Sequence, residues 1–343
     1  MSLTAAALIS GIFVYFTMPY FRKLATRFRI MDFPARRKVH KRVTPLIGGA
    51  AIYCGFVLGL ALVPGAIPNS WIFLLASSAI FLLGLGDDIK GLGAKFRLAT
   101  QFFASLAVII FCDRINFLPP SMWGDFLEIT VSLVWMIGVT NAFNYLDGLD
   151  GLAAGSAVIC LASFAAVLRR PEQPFLFASC AVLAASCLGF LPYNFRKKKV
   201  FLGDAGSTFL GFVLAGIGLL GYWAEGDPIK ISIPILILGV PIFDMVFTTV
   251  MRVWEGKVKT VAGWLKYAGR DHFHHYLSDL GLKDFGSVGF IYFATLSLGI
   301  SAIMVSRQSM PVMALLSILQ ASMVFAMIGI LIVFGKRRQS NGK

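Results

Sequence analysis

Charged side chains are scarce in this chain of 343 residues: Asp, Glu, Lys and Arg make up 14% of it, and only 17 residues are acidic. Hydrophobic residues make up 57%, and the mean hydropathy is +0.78. A soluble domain of this length does not need so much apolar surface, so the composition predicts an all-α, multi-pass membrane protein. The apolar segments are continuous, whereas a transmembrane β-barrel would show short alternating segments.

Cysteine is equally scarce, and its positions exclude two kinds of site. The five cysteines lie inside apolar runs, at Cys54, Cys112, Cys160, Cys180 and Cys187. They therefore read as small core or lipid-facing residues and not as a disulfide framework or a metal site. The first 20 residues lack a basic leading region and a small-residue cleavage site, which predicts a retained first span instead of a cleaved signal peptide.

The apolar runs predict about eleven transmembrane helices within one domain over 1–343, at about 20 residues for each span. The runs lie near 2–21, 46–64, 70–86, 98–112, 126–143, 152–168, 175–191, 205–222, 231–250, 286–305 and 310–334. Of the 31 Lys and Arg residues, 26 follow odd-numbered runs or lie in the C-terminal tail. This asymmetry predicts an outside N-terminus and a cytoplasmic C-terminus. Membrane lipids and anionic substrates then account for the net charge of +14, and no nucleic-acid partner is expected.

Short polar clusters stand at or beside the ends of these runs, and carboxylates placed there are costly unless they are used. There are five such clusters, which lie at 87–88, 141–151, 201–204, 244 and 272–275. All except Asp244 follow odd-numbered runs, so we predict that these four share the cytoplasmic face, with Asp244 within two turns of it. The predicted catalytic loops lie near 22–45, 87–97, 144–151, 192–204 and 251–285.

Asp87 and Asp88 end the third run. Adjacent helical residues point about 100° apart, so the two carboxylates can face different partners. Two neighbouring carboxylates also raise the pKa of one of them, which suits a general base. A plain acidic turn at the membrane surface is the alternative. Lys90 and Lys95, in the same loop, are predicted to bind substrate.

Oxygen-bearing side chains recur every third residue in the run Asn141, Asn144, Asp147 and Asp150. On a helix this spacing places them along one slowly winding stripe. Hard oxygen ligands suit Mg²⁺ with bound phosphates, so we favour this function over an Asn/Asp-capped helix break.

Two further acids lie in the second half of the chain. Asp204 opens the eighth run, where it suits either a helix N-cap or a metal ligand beside amides that attract phosphate. Asp244 lies inside the ninth run, where Pro241 predicts a kink. Arg252, two turns on, is predicted to mark the same helix face.

Histidines are concentrated in one loop. Arg270, His272, His274 and His275 lack the accompanying cysteines or HExxH pattern of a zinc site, so recognition of phosphate or sugar is favoured. Lys38 and His40, in the first basic loop, are placed to meet an anionic head group.

Taken in order, these motifs resemble the polyprenyl-phosphate N-acetylhexosamine-1-phosphate transferase superfamily. The resemblance covers nearly the whole chain and is closest to the branch that acts on GlcNAc-1-phosphate and undecaprenyl phosphate. It implies a bacterial inner-membrane enzyme that converts UDP-HexNAc and undecaprenyl phosphate into undecaprenyl-diphospho-HexNAc and UMP. A cytoplasmic site with Mg²⁺, or Mn²⁺ in its place, is implied, as is a possible homodimer.

The resemblance also implies individual roles. Asp204 and Asn144 match metal-binding positions, and one residue of the pair Asp87 and Asp88 would deprotonate the lipid phosphate. Asp147 and Asp150 match positions tied to nucleotide binding or metal geometry, and the histidines match a sugar-nucleotide segment.

The chain departs from the pattern at Gly269, where relatives often carry Asp, and in Pro45-Leu-Ile-Gly-Gly, where many carry Arg. The phospho-MurNAc-pentapeptide transferase of peptidoglycan synthesis is the alternative enzyme. A secondary transporter is a more remote alternative. Transporters bind near the membrane midplane at a repeat interface, whereas the acidic residues predicted here gather at one face of the membrane.

Overall fold

The computed structural model describes residues 1–33, 43–64, 71–116, 118, 121–168, 173–195, 200–223, 228–260, 263, 267, 269, 272–279, 281–307 and 311–341. Helix accounts for 82% of the structure, which confirms the predicted all-α class. One domain was expected over 1–343, and the chain forms two compact units, Met1–Gly221 and Tyr222–Lys343.

The first unit contains eight of the described helices and one two-stranded antiparallel sheet. In chain order they are α1 (Leu3–Phe28), β1 (Met31–Asp32), β2 (Thr44–Pro45), α2 (Gly48–Ala61), α3 (Trp71–Lys90), α4 (Ala94–Phe111), α5 (Met122–Leu146), α6 (Leu152–Val167), α7 (Pro174–Asn194) and α8 (Gly203–Leu220). Met31 pairs with Pro45 and Asp32 with Thr44. This short sheet brings the end of α1 next to the Pro45-Leu-Ile-Gly-Gly segment.

Helix α8 is the core of the first unit. Its apolar window is 89% buried, against 22% for α1. Glycine, alanine and serine supply much of its surface, which lets neighbouring helices pack closely, as in membrane helix bundles. The start of α8 is consequently a fixed point around which other elements are arranged.

The second unit begins with a 3₁₀ turn, Pro228–Ile231, followed by α9 (Ser232–Ile237), α10 (Gly239–Trp254), α11 (Phe273–Asp279), α12 (Asp284–Arg307) and α13 (Pro311–Asn341). The predicted ninth span is therefore not one continuous helix but is interrupted at Leu238. Pro241 explains the break, because it has no N–H for the carbonyl of Ile237 and its ring clashes there.

Seven described helices are long and apolar enough to cross a membrane. Shorter apolar helical segments are α2, α6 and the stretch Leu315–Ile330 of α13. Every one of the eleven predicted runs overlaps a described helix. The chain is thus a multi-pass membrane protein, while the number of spans and the orientation of its ends stay predictions.

Candidate active site

The first residues of α8 are held by the segment that follows β2. The amides of Gly48 and Gly49 donate to the carbonyls of Phe201 (3.0 Å) and Leu202 (2.8 Å), and the Phe201 amide donates to the Pro45 carbonyl (2.8 Å). A Cβ added at Gly49 would lie 2.2 Å from the backbone nitrogen of Gly206, so only glycine allows this approach. Two motifs far apart in sequence therefore form one backbone platform.

Asp88 caps α8 from the end of α3. Its Oδ1 accepts from the Asp204 amide at 2.8 Å, and its Oδ2 accepts from the Ala205 amide at 3.0 Å. These amides belong to the first turn of α8, whose N–H groups have no partner within the helix. Gly203 makes this possible, since its φ is +77° and a Cβ there would lie 2.6 Å from the Asp88 carboxylate.

Asp204 projects from this capped turn beside Asn144 of α5. The Asn144 amide group donates to Asp204 Oδ1 (2.6 Å) and to Ser207 Oγ (2.9 Å). The side chain of Asp204 is 40% exposed, whereas that of Asp87 is 7% exposed. Asp204 is therefore more accessible than Asp87.

Arg97, in the first turn of α4, connects the acids. Its Nη1 lies 2.7 Å from Asp87 Oδ2 and 3.9 Å from Asp204 Oδ2. Asp87 also accepts from the Leu92 amide through Oδ1. Asp87 and Asp88 thus turn to different helices, as their angular separation predicts, and both carboxylates already hold structural hydrogen bonds.

Asp147 lies at the C-terminal cap of α5. Removal from water, and then the negative charges of Asp204 and Asp150, raise the pKa of Asp147 to about 7. This carboxyl can exchange a proton near neutral pH, which suits an acid or base. Asn141 differs from the rest of the stripe, because its amide group donates to Gln101 of α4 at 2.8 Å and to the Ile137 carbonyl.

In the second unit, Asp244 organises the histidine segment. Its Oδ1 accepts from the Phe273 amide (2.6 Å), and its Oδ2 lies 3.2 Å from His272 Nδ1. Arg252 Nη2 lies 3.3 Å from His272 Nε2. Because a guanidinium only donates, Nε2 accepts here and Nδ1 donates to Asp244. Asp244 and Arg252 are 0% and 3% exposed, so both serve to hold His272.

His274 is buried in α11, and neither of its ring nitrogens has a hydrogen-bond partner among the described residues. Burial, with a smaller contribution from His275, lowers the pKa of His274 to about 3. His275 is half-buried, with its ring centroid 4.2 Å from that of His274. An uncharged His274 packs the segment, and His272 and His275 form its more accessible part.

Other predicted residues are less informative. Lys90 and Lys95 are exposed at the α3–α4 turn, and Lys38, His40 and Arg270 lie outside the described residues. Sequence reasoning missed Arg97 and Ser207. The signal for Ser207 was its position three residues after Asp204, on one helix face. For Arg97 it was the tight Gly91-Leu-Gly93 turn, which returns the chain toward Asp87.

The donor set fits one hard divalent cation bound together with substrate. Within the described part of the chain, no group of three or more His, Cys, Asp or Glu side chains is placed to hold a metal ion. Mg²⁺ is typically bound by one or two carboxylates plus substrate phosphates and waters, so it does not need such a cage. Asp204 and Asn144 offer the accessible oxygens. Among the described residues, the cluster contains three carboxyl groups, those of Asp87, Asp88 and Asp204, and one guanidinium, that of Arg97.

Comparisons with known proteins give a family model and several named relatives. Residues 70–222 match the family model for glycosyl transferase family 4. The chain is 33% identical to a probable undecaprenyl-phosphate N-acetylglucosaminyl 1-phosphate transferase of Bacillus subtilis, over 88% of this chain and 84% of that protein.

Two further relatives have the same kind of name. The chain is 31% identical to decaprenyl-phosphate N-acetylglucosaminephosphotransferase of Mycobacterium leprae, over 81% and 77% of the two chains. It is 28% identical to undecaprenyl-phosphate alpha-N-acetylglucosaminyl 1-phosphate transferase of Escherichia coli, over 81% and 78%.

Proposed function

The chain belongs to glycosyl transferase family 4, and we propose that it transfers N-acetylglucosamine 1-phosphate from UDP-GlcNAc to undecaprenyl phosphate. The observation that carries this proposal is the cluster at the start of α8, where an accessible Asp204 adjoins Asn144 and Arg97. The names of the relatives support a polyprenyl phosphate acceptor and the transfer of a GlcNAc phosphate group to it.

The reaction is a phosphoryl transfer. A phosphate oxygen of the lipid attacks the β-phosphorus of UDP-GlcNAc, and the bond from that phosphorus to the bridging oxygen breaks. UMP leaves with the bridging oxygen, and undecaprenyl-diphospho-GlcNAc remains. The catalyst must bring two anions together and stabilise the charge that develops on the leaving phosphate.

Asp204 and Asn144 would hold Mg²⁺, with Mn²⁺ as a substitute. When bound, the ion would neutralise the diphosphate and stabilise the leaving UMP. Asp88 fixes the first turn of α8 and so holds Asp204 in place. Arg97 offers a guanidinium to a phosphate, and Asp87 orients that guanidinium.

Two carboxyls are candidates to take the remaining proton of the lipid phosphate. Asp87 is close to Arg97, and Asp147 has a pKa of about 7, near the working pH of a general base. Asp150 raises the pKa of Asp147 and so tunes that group.

Recognition of the donor is assigned to the histidine segment. His275 would donate a hydrogen bond to phosphate or sugar. His272, whose Nδ1 donates to Asp244 and whose Nε2 accepts from Arg252, would position the segment that carries His275. Lys38, His40, Lys90, Lys95 and Arg270 would add positive charge toward the two anionic substrates. By the distribution of Lys and Arg, the site faces the cytoplasm of a bacterial inner membrane, and a homodimer is compatible with these assignments.

Two alternatives are less well supported. The peptidoglycan enzyme would use UDP-MurNAc-pentapeptide, whereas the relatives compared above are named for N-acetylglucosamine. A secondary transporter is not expected to match the family model for glycosyl transferases, as residues 70–222 do.

The test is an assay on membranes from cells that produce the protein. With radiolabelled UDP-GlcNAc and undecaprenyl phosphate, we expect a labelled lipid that forms with Mg²⁺ or Mn²⁺ and not with EDTA. Asp204→Asn is expected to abolish it without loss of protein. Parallel reactions with UDP-MurNAc-pentapeptide and UDP-GalNAc define the donor. Full activity of Asp204→Asn would contradict the proposed metal site.

A further inference from the structure

We propose that the buried amide pair of Gln101 and Asn141 positions Arg97 for its phosphate, although neither amide touches a substrate. The inference deepens the proposed function and rests on it, since it concerns the same phosphoryl transfer. It gives Asn141 a positioning role in place of the substrate-binding role that its place in the sequence suggests.

The pair joins α4 to α5, two of the helices that are long and apolar enough to cross a membrane. Asn141 Nδ2 donates to Gln101 Oε1 at 2.8 Å and to the Ile137 carbonyl of its own helix at 2.8 Å. Gln101 is 2% exposed, so a substrate does not reach its amide. A buried amide is costly without a partner, and polar side chains of this kind link membrane helices to each other. The pair is therefore a fixed link between two helices and not an open binding surface.

Each amide lies one helical turn from a residue of the cluster at the start of α8. Gln101 follows Arg97 by four residues on α4, and Asn141 precedes Asn144 by three residues on α5, so each amide shares a helix face with its neighbour. Arg97 Nη1 lies 3.9 Å from Asp204 Oδ2, and the Asn144 amide group donates to Asp204 Oδ1 at 2.6 Å. The two helices are thus joined in two layers, one through Asp204 and one through the amide pair.

The layer through Asp204 is not permanent during the reaction. Arg97, Asn144 and Asp204 are the groups that the proposed function assigns to phosphate and Mg²⁺, so their mutual contacts would give way to these ligands. The turn before α4 is not packed against neighbours, because a Cβ added at Gly91 or Gly93 would meet nothing within 4 Å among the described residues. The amide pair keeps its hydrogen bond when the ligands bind, and it therefore holds the first turns of α4 against α5.

Removal of the hydrogen bond tests the proposal. Gln101→Leu keeps a side chain of similar size but offers no acceptor to Asn141. Trp135→Phe is the matched control, because Trp135 Nε1 donates to the Ala215 carbonyl at 2.9 Å and so joins α5 to α8 by another single hydrogen bond. We expect Gln101→Leu to lower kcat/KM for undecaprenyl phosphate about tenfold, equivalent to about 1.4 kcal/mol. The control should keep the wild-type value, and melting temperatures in detergent show that both variants fold.

A double variant shows whether the effect passes through Arg97. A lysine is a flexible point charge that does not depend on a fixed fork geometry. In an Arg97→Lys background, Gln101→Leu should therefore change kcat/KM by less than about twofold, the non-additivity expected of residues that act as one unit. The half-saturating Mg²⁺ concentration should stay at the wild-type value in Gln101→Leu, because neither amide contacts Asp204 or Asn144 among the described residues.

A tenfold loss that persists in the Arg97→Lys background would overturn the positioning role. Equal activities of Gln101→Leu and Trp135→Phe, or a raised Mg²⁺ requirement in Gln101→Leu, would overturn it as well. If Gln101→Leu does not fold, Asn141→Leu removes the same hydrogen bond from the other helix and is judged by the same outcomes. A wild-type protein that transfers nothing to undecaprenyl phosphate would instead contradict the proposed function itself.

Discussion

Substitution of Gly203 tests whether the start of α8, capped by Asp88, holds Asp204 in the position that the reaction needs. In Gly203→Ala, a left-handed backbone costs about 1–2 kcal/mol for a residue with a side chain. The new Cβ would also lie 2.6 Å from the Asp88 carboxylate, which must move. Loss of one charge-assisted hydrogen bond to the helix amides adds about 1.5–3 kcal/mol. The free energy of unfolding should therefore fall by about 2.5–5 kcal/mol.

Gly256→Ala is the matched control, because Gly256 has a φ of +69° and nothing within 4 Å of an added Cβ. It should lose only the backbone cost of about 1–2 kcal/mol. Displacement of Asp204 by about 1 Å would reduce kcat/KM about 100-fold in Gly203→Ala, while the control should keep near wild-type activity. Thermal melting in detergent and the lipid-transfer assay give both quantities. Equal melting temperatures and equal activities of the two variants would refute this reasoning.

Three further substitutions probe separate parts of the site. Asp244→Asn leaves a donor facing His272, so we expect a raised KM for UDP-GlcNAc with a smaller change in kcat, measured by steady-state kinetics; unchanged KM would remove the positioning role. Asp147 has a raised pKa of about 7, so the folded protein keeps this proton where the unfolded chain, with a pKa of about 3.9, has released it. Native stability therefore falls as pH rises from about 4 to 7, and Asp147→Asn should flatten the melting temperature between pH 5 and 8; a slope equal to that of the wild type would contradict it. Asn144→Ala should raise the half-saturating Mg²⁺ concentration about tenfold, whereas Asn141→Ala should leave it unchanged, and equal Mg²⁺ curves for the two variants would argue against the assigned ligand.

The sequence predicts the helices well, because apolar runs of span length have few other structures open to them in a membrane. It also predicts that Asp87 and Asp88 serve different partners. It does not predict which partners, since the amides that Asp88 caps lie 116 residues away in sequence. Asp204 was expected to cap α8 or bind metal, and the structure gives the capping contact to Asp88, which leaves Asp204 accessible.

Residues whose role depends on contacts formed only in the folded chain were the hardest to predict. Arg97 is an ordinary loop cation in the sequence, and only the turn between α3 and α4 brings it to Asp87. Pro241 correctly signals a disturbed ninth span, although the chain breaks at Leu238, before the proline, because the missing hydrogen bond is to the preceding turn.

The most direct test of the account follows the β-phosphate of the donor. UDP-GlcNAc labelled with ³²P at the β-phosphate is incubated with the purified protein, undecaprenyl phosphate and Mg²⁺, and lipid and aqueous products are separated. Transfer of GlcNAc 1-phosphate predicts that the label enters the lipid fraction in step with unlabelled UMP. Label that stays in water as UDP, while the sugar enters the lipid, would contradict the phosphoryl transfer on which every residue assignment depends.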